Sequence, residues 1–138
     1  MAKLSKHFGD NEFQCPCCKK ICPDGMSPRL VLCLERLRAL VGRSIYITSG
    51  YRCAVHNKAV GGVPTSLHML GMAADITVPF LDNIKLFELA EKCGFGGLGL
   101  YVGRGFVHVD TGKVARWCTA KDGRRLKLED YVRKEGKS

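Results

Sequence analysis

The chain has 138 residues, 46% hydrophobic and 25% charged, the make-up of an ordinary globular protein with material for one core. No run reaches the roughly 20 consecutive apolar residues of a membrane helix, and Met1-Ala2-Lys3-Leu4-Ser5-Lys6-His7 has no apolar block behind it, so no Sec-type leader is expected. The net charge of +9 favours polyanions in general, but no aromatic residues interleave the basic ones and no nucleic-acid module is recognisable, so nucleic acid is not an expected partner.

Residues 1–26 read as irregular, broken by Gly9, Pro16, Pro23, Asp24 and Gly25. Ser27-Pro28 is a helix start, a capping hydroxyl followed by a residue with preset φ. Leu30, Cys33, Leu34, Leu37 and Val41 then recur at helical spacing up to Gly42, which predicts a helix over 28–41. Ser44 to Thr48 is β-branched and aromatic and reads as a strand. Residues 53–60 read as a short helix stopped by Gly61-Gly62. Ala73 to Val78 reads as a second strand, and Asp82 caps a helix that runs through Ile84, Phe87, Ala90 and Cys93 to Gly94. Gly99–Val102 and Phe106–Asp110 read as strands joined by a hairpin at Gly103-Arg104-Gly105. Short strands with two or three helices predict a single α+β domain over 1–138, a small antiparallel sheet with helices packed on it. From about 119 the chain is expected to be a basic tail, solvated or able to bind an anionic surface, with residues 126–132 readable as a last short helix or strand.

Asp75 is a carboxylate in the middle of an apolar strand, where desolvation demands a partner, and a metal ion is a good one. His108 stands between Val107 and Val109 in another apolar strand, and His68 precedes the small residues Gly71, Ala73 and Ala74. Two imidazoles and one carboxylate would leave a tetrahedral zinc one open position, as in catalytic sites. A buried His or Asp satisfied by hydrogen bonds alone is the competing reading. Asp110 lies two residues after His108, hence on the same strand face, where it could take a proton from a zinc-bound water or orient a ligand. Arg52 is a candidate grip for a substrate carboxylate. His7 and His56 read as surface residues, and Trp117 and the phenylalanines as core.

The string Ser49-Gly50-Tyr51-Arg52, His56-Asn57, Gly61-Gly62 and Ser66-x-His68-x-x-Gly71-x-Ala73-x-Asp75 resembles the zinc D-Ala-D-Ala carboxypeptidase family. A turn at Gly96, Tyr101, Phe106 to Asp110 and Arg116-Trp117 resemble its small phage and bacterial branch. The resemblance implies the fold shared with lysostaphin-type peptidases and the hedgehog domain, with a zinc-bound water attacking a peptide carbonyl in a peptidoglycan stem. It implies His68, Asp75 and His108 as zinc ligands, and Ser66 and Arg52 as substrate contacts. Many relatives carry the catalytic group three or two residues before the last zinc histidine, where this chain has Gly105 and Phe106. Asp110 is therefore the candidate base, with His56 next. The function expected is a zinc peptidase, either a DD-carboxypeptidase or an endolysin-type endopeptidase. It would be a monomer made in the cytoplasm without a signal peptide and would act on the wall, as after holin release. The alternative is a zinc-containing binding module of the same fold that has lost catalysis.

The eight cysteines include Cys15-Pro16-Cys17-Cys18-Lys19-Lys20-Ile21-Cys22. Cys15, Cys18 and Cys22 have ligand-like spacing for a second, structural zinc, with Cys17 or Cys33 as a fourth ligand. Two paired CxxC units are absent, so free thiols in a reducing cytoplasm are the expectation.

Overall fold

The computed structural model describes residues 3–132. Its framework is a six-stranded sheet in the order β1-β2-β4-β3-β5-β6, with three α-helices in an α+β arrangement. The strands are β1 (Tyr46–Ser49), β2 (Ala73–Thr77), β3 (Gly97–Tyr101), β4 (Phe106–Asp110), β5 (Ala115–Thr119) and β6 (Arg125–Leu126). The helices are α1 (Pro28–Val41), α2 (Ala54–Ala59) and α3 (Asn83–Ala90). None of the helices among the described residues is long and apolar enough to cross a membrane.

Local chemistry sets the helix ends. Ser27 Oγ accepts the Leu30 N–H and Gly42 closes α1 with φ +73°, so this helix has the bounds its sequence predicts. Asp82 caps α3 through the Ile84 N–H. The predicted β1, β2 and β3 shift by one or two residues, while β4 stands as predicted.

Two expectations need correction. The sheet is mixed, because β5 pairs with β3 in parallel while the remaining pairs are antiparallel. The basic tail from 119 is in part built into the fold. Residues 125 and 126 pair with β5, a 3-10 turn follows at Leu128–Asp130, and Val132 is buried in the core. Arg133, Lys134 and Lys137 of that tail lie outside the described residues.

The sheet has two chemically distinct faces because side chains alternate along each strand. Ala74 and Ile76 of β2, Leu98 and Leu100 of β3, and Val107 and Val109 of β4 are buried in the core. Helix α3 packs over β3 and β4, and α1 packs on α3. Full burial of each Leu, Ile or Val is worth about 1.5–3 kcal/mol, so the register of these three strands is firmly set. A one-residue slip would put Asp75, His108 and Asp110 into the core. The apolar side of the sheet thus fixes where the polar side stands.

Candidate metal centre and active-site cleft

The register brings the polar residues together. Asp75 lies directly across from His108, and Ala73 across from Asp110, in the β2–β4 pair. His68 arrives from a 3-10 turn over Leu67–Leu70. Ser66 opens that turn by accepting the His68 N–H on its hydroxyl at 3.2 Å, and Gly71 closes it at φ +71°. The possible ligand atoms of His68, Asp75 and His108 all lie within 4.8 Å of one another. His68 and Asp75 are buried, and His108 is half-buried at the floor of a cleft.

The hydrogen bonds behind these residues show what the cluster is suited to hold. His68 Nδ1 is 2.8 Å from the Gly50 carbonyl oxygen. A carbonyl only accepts, so the proton sits on Nδ1 and the lone pair is left on Nε2. That lone pair faces Asp75 Oδ1 at 3.4 Å. In His108, Nε2 lies 2.8 Å from Asp110 Oδ2 and Nδ1 lies 3.0 Å from the same Asp75 Oδ1, so the ring stands between two carboxylates. One nitrogen of each ring thus converges on a single carboxylate oxygen. Without a metal, a second proton on His108 satisfies both of its carboxylate contacts; a cation between the rings would take its place.

The electrostatics agree. Burial alone would lower the His108 pKa, but its hydrogen bonds to Asp110 and Asp75 outweigh that and push it up to about 9. Burial opposes ionisation of Asp75, yet the hydrogen bonds and charge of His108 and His68 hold its carboxyl far below the usual range. Once a metal displaces the His108 Nδ1 proton, two imidazoles and one carboxylate, each with its second atom anchored, would fit a divalent zinc ion, including the carboxylate–histidine backing typical of such ligands.

Asp110 has both oxygens engaged. Oδ2 accepts from His108, and Oδ1 accepts the N–H groups of Gly97 and Gly112 at 2.9 Å each. Burial opposes its ionisation, but His108 and these amides hold its pKa low. Gly97 is indispensable here, since a Cβ on it would overlap the Asp110 carboxylate. Gly99, on the same face of β3, likewise clears space for the Trp117 indole. Gly96, where a turn is expected, is a bend just before β3, while Gly97 and Gly99 are strand residues that make room for the site.

Arg52 is turned inward. Its guanidinium reaches Asp75 Oδ2 at 3.4 Å, Ser49 Oγ at 3.2 Å and Asn57 Oδ1 at 3.3 Å. Asn57, buried and without an assigned role in the sequence, donates to the Val63 carbonyl at 2.9 Å and so folds the 57–63 loop over the cleft. The cleft has a volume of about 420 Å³ and includes Arg52, Ser66, Tyr101, Arg104, Phe106 and Trp117 in its lining. The sequence reading took Trp117 for core. It is half-buried, with its ring centroid 5.3 Å from that of His108 and its Nε1 donating to the Tyr101 hydroxyl at 3.1 Å. No local pattern gave this away, because it depends on the parallel β3–β5 pairing. His56 is not part of the cleft lining.

The cysteine grouping weighed for a second zinc, Cys15, Cys18 and Cys22, is corrected as well. The thiols that gather are Cys15, Cys18 and Cys53. Cys22 is buried in the core beside Gly71, and Cys33 sits on α1 near Cys93.

The chain is 36% identical over 78 residues to the probable peptidoglycan L,D-endopeptidase MepK of Haemophilus influenzae, covering 53% of this chain and 42% of that protein. It is 32% identical over 126 residues to the peptidoglycan L,D-endopeptidase MepK of Escherichia coli, covering 85% of this chain and 64% of that protein. It thus spans less than two thirds of the length of these relatives. The sequence profile described as Peptidase M15 matches residues 6–110, which takes in Arg52, Ser66 and all of His68, Asp75, His108 and Asp110, and the chain belongs to the peptidase M15 family.

Proposed function

We propose that the chain is a zinc-dependent peptidase that hydrolyses an amide bond in peptidoglycan peptides, acting as an endopeptidase. The observation that carries this reading is the convergence of His68 Nε2 and His108 Nδ1 on Asp75 Oδ1, with the far nitrogen of each ring 2.8 Å from an oxygen acceptor. The names of the relatives favour endopeptidase over the carboxypeptidase activity that the sequence motif also suggests. Bound there, zinc would polarise the scissile carbonyl and lower the pKa of an attacking water.

The chain's own residues supply the rest. Asp110 holds the proton on His108 Nε2 and so keeps Nδ1 available as a ligand. The sequence reading made Asp110 the base. With both its oxygens engaged, we assign it to positioning. Arg52 fixes the second oxygen of Asp75, and its position in the cleft wall lets it also meet a substrate carboxylate. Ser66 presents its hydroxyl to the cleft while capping the turn that carries His68. Tyr101, Phe106 and Trp117 offer an apolar wall for the peptide stem.

The absence of an acid at positions 105 and 106 favours one rival reading, a domain that binds zinc and wall peptide without cutting it. Purified peptidoglycan incubated with the zinc-loaded protein decides the matter. Chromatography of the products should show cross-linked muropeptides separating, without a rise in free D-Ala, and His68→Ala should show no turnover. Release of D-Ala alone would make the enzyme a carboxypeptidase. No product from zinc-loaded wild type would overturn the enzymatic reading in favour of the binding module.

A further inference from the structure

A second cluster of ligand-type atoms lies outside the cleft. Cys15-Pro16-Cys17-Cys18-Lys19-Lys20 forms a closed knuckle, in which Cys15 N–H donates to the Lys20 carbonyl at 3.0 Å and Lys19 N–H to the Cys15 carbonyl at 2.9 Å. Lys19 sits at φ 60°, the left-handed conformation needed to reverse the chain after Cys18. The third thiol, Cys53, comes from the residue that caps α2. The three sulfurs lie within 4.8 Å of one another, and Cys15 Sγ and Cys53 Sγ are 3.7 Å apart.

We infer that Cys15, Cys18 and Cys53 form a second metal site, a thiolate site for zinc or a similarly soft divalent ion, with the fourth position open to a water or to the neighbouring Cys17 thiol. The sulfur spacing is the first argument. A tetrahedral zinc with bonds of about 2.3 Å separates its sulfurs by about 3.8 Å, which is the Cys15–Cys53 spacing. A disulfide would need about 2.05 Å.

The second argument is the set of amide donors aimed at the sulfurs. Cys15 Sγ accepts from Cys53 N–H at 3.5 Å and also faces the N–H groups of Cys17 and Cys18. Cys53 Sγ accepts from His56 N–H at 3.4 Å, and Cys18 Sγ faces the Lys20 N–H. Each sulfur thus has backbone donors arranged for a negative charge, which a neutral thiol does not require. The exposed Cys17 thiol faces Cys53. Thiolate donors select soft or borderline ions over magnesium or calcium. Lys19 and Lys20 would offset the excess negative charge. Each thiol releases its proton to solvent as the metal binds, and no electron is transferred.

Cobalt(II) and zinc, added separately to metal-free protein under reducing conditions, test the site. Wild type should take up two metal ions per chain, and the cobalt form should show a thiolate-to-cobalt charge-transfer absorption. His68→Ala should keep one ion and that absorption, whereas Cys15→Ser/Cys53→Ser should keep one ion and lose it. A wild-type protein that binds cobalt without thiolate absorption, or that carries a Cys15–Cys53 disulfide by mass spectrometry, would overturn the inference. The wild-type spectrum needs no variant to fold. Hydrolysis of peptidoglycan with a single bound metal would remove this site and leave the proposed activity standing.

Discussion

Replacing Asp110 by asparagine tests the positioning role directly. The carboxylate accepts two backbone N–H groups on Oδ1 and the His108 Nε2 proton on Oδ2. An asparagine amide of the same shape has one accepting oxygen, which the two backbone donors will claim. Its NH₂ group then faces His108 Nε2. Two donors cannot share that contact, so the imidazole proton moves to Nδ1, the nitrogen that faces Asp75. The ligand lone pair is lost from its productive position. A hydrogen bond to a charged group contributes about 1.5–3 kcal/mol, and residues that orient metal ligands typically change metal affinity about 10–100-fold. The two scales agree, since each tenfold is about 1.4 kcal/mol. Competition with a chromophoric chelator should therefore show zinc binding about 10–100-fold weaker in Asp110→Asn, with hydrolysis largely recovered at saturating zinc. Unchanged zinc affinity together with hydrolysis lost at saturating zinc would refute this and return Asp110 to the role of proton acceptor.

Gly97→Ala should weaken zinc binding in the same direction by crowding the Asp110 carboxylate, and should lower stability by about 1–3 kcal/mol as an overpacked site, read by thermal unfolding. Asn57→Ala leaves the Val63 carbonyl without its donor and Arg52 without one of its acceptors. Urea unfolding should show a loss of about 1–3 kcal/mol, and KM for the wall peptide should rise more than kcat falls. Glu35 accepts from Ser5 Oγ and from the His7 backbone and ring, and although burial opposes it, these contacts hold its pKa below the usual value. A depressed folded-state pKa stabilises above the unfolded value of about 4.3 and ceases to do so as pH falls through the folded value. The stability deficit of Glu35→Gln should accordingly be full at neutral pH and shrink in acid, and a deficit independent of pH would count against the contact.

The parts legible in the sequence were those written locally. Ser27-Pro28 and Gly42 bound α1 because caps act within a turn of the helix end, and alternation in β4 placed His108 and Asp110 on one face before any pairing was known. Asp75 was conspicuous as a lone charge among apolar neighbours. Illegible were the relations between distant segments. Ala115–Thr119 carries no clean alternation, and its role as a parallel partner of β3 is a property of the closed sheet. Trp117 consequently looked like core. Cys53 was passed over because its thiol partners lie far back in the chain, while Cys22 had the better local spacing but is buried in the core. Arg52 was singled out, but its engagement with Asp75 emerges only once β1 and β2 are paired.

Four consecutive residues after β1 each make a different long-range attachment. The Gly50 carbonyl holds His68, Tyr51 N–H is bound to the Phe13 carbonyl, Arg52 reaches Asp75, and Cys53 joins the thiol cluster. Such a stretch has no slack. Adding or deleting a single residue there would break several attachments in one step, so its length should be fixed across functional variants. The neighbouring loop at 60–65 is tied mainly through Asn57 and can change length or composition more freely. Under the proposed peptidase function, a change in the peptide bond recognised would then be made most readily in that loop, on one rim of the cleft, and least readily in the half that carries His68 and Asp75.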